Sequence, residues 1–206
     1  MGITSRIKRP LDRTIPSLRD TKLIIIACEG EKTEKQYFSA PHFKHHKIQI
    51  KILESEDGNS SPRAVHRRLR NFAMETELGH GDQLWLVIDR DRWTDSMLSQ
   101  ICSEAVRGKL AANVALSNPS FELWLVLHLN ELENKPISNV ELIQKLQHLL
   151  GGYSKSNIKH EQFIEGINKA ILRAEALDIN KTHRWPQNPG TRVYILVKEI
   201  ANIVNS

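Results

Sequence analysis

Two segments of this chain end apolar runs on carboxylates: Leu23-Ile-Ile-Ile-Ala-Cys-Glu-Gly30 and Leu84-Trp-Leu-Val-Ile-Asp-Arg-Asp91. A short apolar run bounded by Gly or charge predicts a buried strand of a parallel sheet. The carboxyl ends of such strands are where open α/β sheets place ligands, so Glu29, Asp89 and Asp91 are expected to converge on one edge of one sheet. Clustered carboxylates raise one another's pKa or recruit a cation, and oxygen-only donors suit Mg²⁺ or Mn²⁺. At a strand end, residues i and i+2 face the same side, which lets Asp89 and Asp91 approach one ion. Taken alone, the Asp-x-Asp pattern is equally a polar turn after a buried strand. Gly30 would let the backbone turn sharply and come close to a phosphate.

Glu122 is the next acid of interest, alone among apolar neighbours in Asn118-Pro-Ser-Phe-Glu-Leu-Trp124. An acid in the first turn of a helix is favoured by the helix dipole alone. Flanked by Phe121, Leu123 and Trp124, however, its carboxylate is expected to be buried and to need a partner such as a metal or an Arg. Ser117 and Asn118 would offer contacts to a phosphate at the same helix N-terminus. Arg63, His66, Arg67 and Arg70 stand at i, i+3, i+4 and i+7, on one helical face, and such a row can follow a nucleic-acid backbone or form a solvated surface. Arg90 and Arg92 flank the paired acids, to salt-bridge them or to hold a phosphate. His42, His45 and His46 read as surface histidines rather than zinc ligands, and His128 as a satisfied core histidine. Tyr153, Lys155 and Lys159 follow the Gly pair in a polar loop able to reach substrate, and Trp185 reads as a plug between helices rather than a platform for a base.

The elements that must position these residues alternate. After strand 23–28, a Gly turn leads to a helix that Thr33 can cap, with Tyr37 and Phe38 facing inward. Residues 47–53 alternate polar and apolar side chains, as an edge strand does. Ser61-Pro62 marks a helix start. Strand 83–88, helix 94–106, strand 113–116 and helix 119–130 follow, giving an α/β core with a mostly parallel sheet over residues 23–130. Beyond Asn130 the periodicity is helical: residues 140–150, 160–177 and 193–204, with a turn at Asn188-Pro-Gly-Thr191. Residues 131–206 are thus expected to form a helical extension packed on the core.

The chain has 206 residues, of which 40% are hydrophobic and 26% charged, enough for one good core. Its net charge of +5 bears on partners only where the cations cluster, and they do so in residues 1–22, where Arg6, Lys8, Arg9, Arg13, Arg19 and Lys22 face only Asp12 and Asp20. This reads as a loose basic arm. No apolar stretch approaches a membrane span and no apolar signal core is present, so a cytoplasmic protein without a membrane partner is expected. Cys28 and Cys102 lack the spacing of a disulfide framework or zinc ribbon.

The strings Cys28-Glu-Gly-Glu-Lys-Thr-Glu-Lys-Gln-Tyr-Phe38, Val87-Ile-Asp-Arg-Asp91, Leu116-Ser-Asn-Pro-Ser-Phe-Glu-Leu-Trp124 and Asn188-Pro-Gly-Thr191 occur in this order. A strand-terminal Glu-Gly followed by a strand-terminal Asp-x-Asp resembles the Toprim fold of primases, topoisomerases and OLD-type nucleases. The four strings together, spanning residues 23–197, resemble more narrowly the RloB-like proteins of bacterial restriction and phage-defence loci. That resemblance implies a Toprim-like, Rossmann-like fold and Mg²⁺- or Mn²⁺-dependent hydrolysis of phosphodiester bonds in DNA or RNA, tRNA included. It assigns the general acid/base to Glu29 and metal binding to Asp89 and Asp91, with Glu122 beside them. The second acid common after the Glu-Gly of Toprim nucleases falls on Glu31 or Glu34. The resemblance also implies a neighbouring AAA- or ABC-type ATPase, separately encoded because this chain lacks GxxxxGK[ST]. Two other readings compete. One is a non-catalytic module that grips nucleic acid or docks the ATPase around a structural metal; the other is a small-molecule phosphotransferase, which would lack the expected Gly-rich nucleotide loop.

Overall fold

In the computed structural model, residues 21–30, 32–55, 58–90, 92–108 and 110–206 are described; most of the basic arm, Glu31 and Asp91 lie outside them. Strands β1 (Lys22–Cys28) and β3 (Gln83–Asp89) are continuously apolar because helices cover both of their faces. Side chains of β1 alternate between two cores. Ile24, Ile26 and Cys28 enter one, and Leu23, Ile25 and Ala27 enter the other. The sheet runs β2-β1-β3-β4-β5, with β2 (Ile48–Leu53), β4 (Asn113–Asn118) and β5 (Gly190–Thr191). All pairings are parallel except β4 with β5. As its alternating pattern predicts, β2 is the edge strand, with Gln49 and Lys51 exposed.

One layer consists of α2 (Pro62–Glu75) and α3 (Asp95–Arg107), which bury Val65, Leu69, Leu98, Ile101 and Ala105 on the sheet. Helix α2 begins as its sequence predicts: the Ser61 hydroxyl accepts the Ala64 N–H, and Pro62 takes the first helical position. The opposite layer combines α1 (Thr33–Phe38), α4 (Glu122–Leu129), α5 (Asn139–Leu150), α6 (Glu161–Ile164), α7 (Ile167–Leu177) and α8 (Val193–Asn205) around one core that includes Ile24, Ile26 and Trp124. The fold is therefore an α/β arrangement of Rossmann-like, Toprim-like type. The chain steps outward from β1 to β2 and then crosses past β1 to β3, so the strand order reverses direction there and the carboxyl ends of β1 and β3 form a topological switch point.

Three local expectations are corrected. Thr33 does not cap α1; it is the first helical residue, and its hydroxyl donates to the Lys155 carbonyl at 3.2 Å. The helix expected over 160–177 is two helices parted at Glu165 and Gly166, and Gly166 lies so close to the backbone of His128 that a Cβ would collide. The turn at Asn188–Thr191 supplies a strand. Its residues Gly190 and Thr191 pair with Asn118 and Ser117, so the C-terminal segment completes one edge of the sheet.

Candidate functional site

Glu29 stands just beyond β1, where its N–H continues the ladder to the Val87 carbonyl at 2.9 Å. Its carboxylate is buried and surrounded by donors. Oε1 accepts Trp93 Nε1–H at 2.8 Å and an Arg92 guanidinium N–H at 3.4 Å, while Oε2 accepts the Asp89 backbone N–H at 3.2 Å. Charge-assisted bonds of this kind are strong and directional, so Glu29 ties the exits of β1 and β3 into one rigid edge. It presents Asp89 rather than facing the cleft beside it.

That cleft, of about 260 Å³, is lined by Gly30, Lys32, Glu34, Asp89, Glu122 and Lys155, among others. Glu34 lies in the first turn of α1 and folds back so that Oε1 accepts the Gly30 N–H at 3.0 Å. Burial pushes its carboxyl up to about 7, and the charges of Glu122 and Glu29 add to the rise, while backbone N–H bonds hold it back. Glu122 opens α4 with 2% of its surface exposed. Its Oε2 accepts the Ser120 hydroxyl at 2.8 Å; its Oε1 accepts the Lys155 ammonium at 2.7 Å and the Tyr153 hydroxyl at 3.4 Å. Burial by itself would depress the Lys155 ammonium, but the Glu122 bond and the charges of Glu122, Asp89 and Glu34 outweigh it and hold the pKa above the usual lysine value. Its backbone is strapped to α1: the Lys155 carbonyl accepts from Thr33 and Gln36, and the Ile158 N–H donates to Gln36 Oε1 at 2.8 Å.

Gly30 owes its place to Glu34. A Cβ at residue 30 would occupy the volume of the Glu34 carboxyl group, so the need is close approach to a side chain. Gly30→Ala is expected to push that carboxyl off the Gly30 N–H and to cost about 1–3 kcal/mol of stability, the scale of a buried polar group left unpaired. Chemical denaturation checks this against Glu34→Ala, whose truncated side chain clears the space. The cost of adding Gly30→Ala in that background should nearly vanish, and an unchanged cost would refute the steric account.

The chain matches the RloB-like protein family over residues 24–200. It belongs to the RloB-like family. No curated protein and no solved structure matches it. Three of the strings that carried the resemblance meet at the cleft: the first supplies Gly30 and Glu34, the second Asp89 and the third Glu122.

Other expected site residues of this RloB-like chain fall elsewhere. Ser117 and Asn118 do not sit at a helix N-terminus. Pairing with β5 prolongs β4 through both of them, and α4 begins only at Glu122. The Ser117 hydroxyl bonds the Thr191 hydroxyl at 2.8 Å, and the Asn118 amide donates to the Pro186 carbonyl at 3.0 Å, both buried, so neither side chain is available to a phosphate. Arg90 turns to Asp95 at 2.8 Å and lies over the Trp185 ring. Arg92 packs over Trp93 and pairs with Glu29. Arg63, Arg67 and Arg70 are exposed along the outer side of α2, with Arg63 donating to Gln100 at 2.9 Å. Arg68, one position from Arg67 but on the flank facing the sheet, reaches the site edge instead and donates to the Cys28 carbonyl at 2.7 Å. The only sequence signal for it was its place beside buried Leu69, from which a long stem can lie along apolar surface. His128 is a core histidine, bonded to Tyr37 and to the Trp124 carbonyl, and burial lowers its pKa to about 4. Burial raises the Cys28 thiol well above its ordinary value, so Cys28 is packing rather than nucleophile.

Of the expected metal ligands Glu29, Asp89, Asp91 and Glu122, Asp91 lies outside the described residues, and Glu29 accepts from Trp93, Arg92 and the Asp89 N–H. Among the described residues, no three His, Cys, Asp or Glu side chains are gathered closely enough to hold a metal ion. The cleft nonetheless fits a hard divalent cation in kind. It offers the carboxylates of Glu34, Asp89 and Glu122, and the Lys155 ammonium already stands in their combined field as a cation.

Proposed function

We propose that this RloB-like protein hydrolyses phosphodiester bonds of nucleic acid with Mg²⁺ or Mn²⁺ at the switch point between β1 and β3. The observation that carries this reading is the gathering of Glu34, Asp89 and Glu122 on one cleft with Lys155 among them. Asp89 and Glu122 would hold the cation, and Asp91 joins them by sequence alone. A divalent cation bound there neutralises phosphate charge and lowers the pKa of a coordinated water. Glu34, with its carboxyl pushed up to about 7, is matched to accept a proton from the attacking water near neutral pH. Glu29 is a positioning residue that fixes the backbone of Asp89. Lys155, whose ammonium lines the same cleft, would offer a positive charge to the phosphate. A setting in phage defence beside a separately encoded ATPase belongs to the same proposal. Among the described residues, no helix is long and apolar enough to cross a membrane.

The test is incubation of the purified chain with labelled tRNA, other RNA and plasmid DNA in Mn²⁺ or Mg²⁺, beside Asp89→Asn. Metal-dependent cleavage that falls by at least about a hundredfold in the variant is expected, and the substrate cut names the class. Equal binding by both proteins with no cleavage by either, with and without the neighbouring ATPase, would instead establish a binding module.

A further inference from the structure

A second cavity, of about 190 Å³, opens between the carboxyl ends of β1 and β2. Gly30 and Lys32 line both it and the acid cleft, so the two lie side by side along the same edge of the sheet. Their chemistry is opposite. Lys32, Lys35 and Arg68 line the second cavity against one acid of the described residues, Glu54. Glu54 is paired with Lys35 on the surface, where such a pair contributes little and yields readily to a competing anion.

Arg68 is the built part of this cavity. Its stem runs along the sheet-facing flank of α2 beside buried Val65 and Leu69, and one Nη2–H is fixed on the Cys28 carbonyl. Among the described residues, its enclosed Nε has no hydrogen-bond partner. That enclosure holds the guanidinium at the cavity wall, and a phosphate oxygen is the acceptor whose geometry suits a guanidinium fork.

We propose that this basic cavity seats the phosphate next to the scissile one, so that a strand crossing the carboxyl edge places one phosphate in the acid cleft and its neighbour on Arg68, Lys32 and Lys35. A polynucleotide backbone supplies two adjacent phosphates in this way, and competition by ATP tells it from a nucleotide that carries its phosphates on one sugar. This assignment rests on the reading of the acid cleft as a phosphodiester site, and its test separates the two.

Binding of fluorescent DNA and RNA oligonucleotides is measured over a salt series in Ca²⁺, with ATP as a competitor, for the wild type and for Arg68→Ala. Arg68→Ala is expected to weaken oligonucleotide binding about tenfold and to lower the slope of log affinity against log salt by about one phosphate contact. An uncharged methylphosphonate, scanned along the oligonucleotide, should reproduce that loss at one linkage in the wild type and have no effect there in the variant. Because Arg68 also supports the Cys28 carbonyl, the Lys32→Ala, Lys35→Ala double variant gives a second measure from exposed side chains, with the same direction of change. Arg68-dependent binding with no cleavage in Mg²⁺ or Mn²⁺, with and without the neighbouring ATPase, would leave the basic phosphate site standing and remove the hydrolase reading. Cleavage with binding indifferent to Arg68 and to both lysines would overturn the subsite and leave the hydrolase reading. Oligonucleotide binding abolished by ATP at equal concentration, or absent from the wild type, would also overturn it.

Discussion

Glu34→Gln is expected to make the metal-free protein more stable at mildly alkaline pH while lowering its cleavage rate by at least about a hundredfold. The stability change follows from linkage. In the folded chain the carboxyl is raised from an ordinary 4.5 to about 7, chiefly by burial. A raised pKa means that the folded state favours the protonated form. The associated stability is complete below the ordinary value and is lost as pH climbs through about 7. At about 1.4 kcal/mol per unit, the loss reaches at most about 3 kcal/mol. Gln stays neutral throughout, and its side-chain oxygen can keep the bond from the Gly30 N–H. Melting curves in a chelator should therefore lie closest below about pH 4.5 and separate by roughly 5–10 °C above neutrality for a chain of this size. Curves that stay parallel across that range would sink the account of Glu34 as a buried acid. A gain in stability combined with a loss of turnover is what a residue held in an unfavourable state for function produces. A purely structural carboxylate would lose both.

Much of this arrangement was legible because burial leaves few alternatives. Apolar runs as continuous as those ending at Glu29 and Asp89 have only one common place, a strand covered on both faces. Parallel strands of that kind deliver their acids to one edge. The division of labour among the acids was less legible. Glu29 and Glu34 are both acids after β1, and which of them faces the cleft depends on Trp93 and Arg92 closing over Glu29 and on Gly30 giving Glu34 its space. Lys155 and Tyr153 stood out as polar-loop residues able to reach substrate, but their pairing with Glu122 was not legible. Lys155 sits in a loop beyond α5, and its position is set by docking onto Thr33 and Gln36, a long-range contact that no local period encodes. Ser117 and Asn118 were misplaced because a two-residue strand such as β5 is too short to leave a pattern. The long apolar stretch around Glu122 suggested a helix that begins earlier than it does.

Lys155→Met carries the second large expectation, because it removes the cation from a carboxylate that is almost wholly enclosed. Among the described residues, Glu122 would keep the Ser120 and Tyr153 hydroxyls but no positive charge at bonding distance. Breaking a fully buried ion pair costs about 3–5 kcal/mol. The Lys155 side chain is 57% exposed, and water screens the loss, so about 1–2 kcal/mol is the expected destabilisation. Adding Glu122→Gln to Lys155→Met should restore most of it, since the charge that lacked a partner is then gone. The same variants report on the cation without any turnover. If Asp89 and Glu122 hold a divalent ion where the ammonium now stands, Mn²⁺ should raise the melting temperature of Lys155→Met more than that of the wild type, because no ammonium has to be displaced. The double variant should lose that response. Equal Mn²⁺ shifts in all three proteins would mean that the ion binds elsewhere, and the three acids would then stand as a lysine-bridged structural cluster rather than a metal-dependent centre.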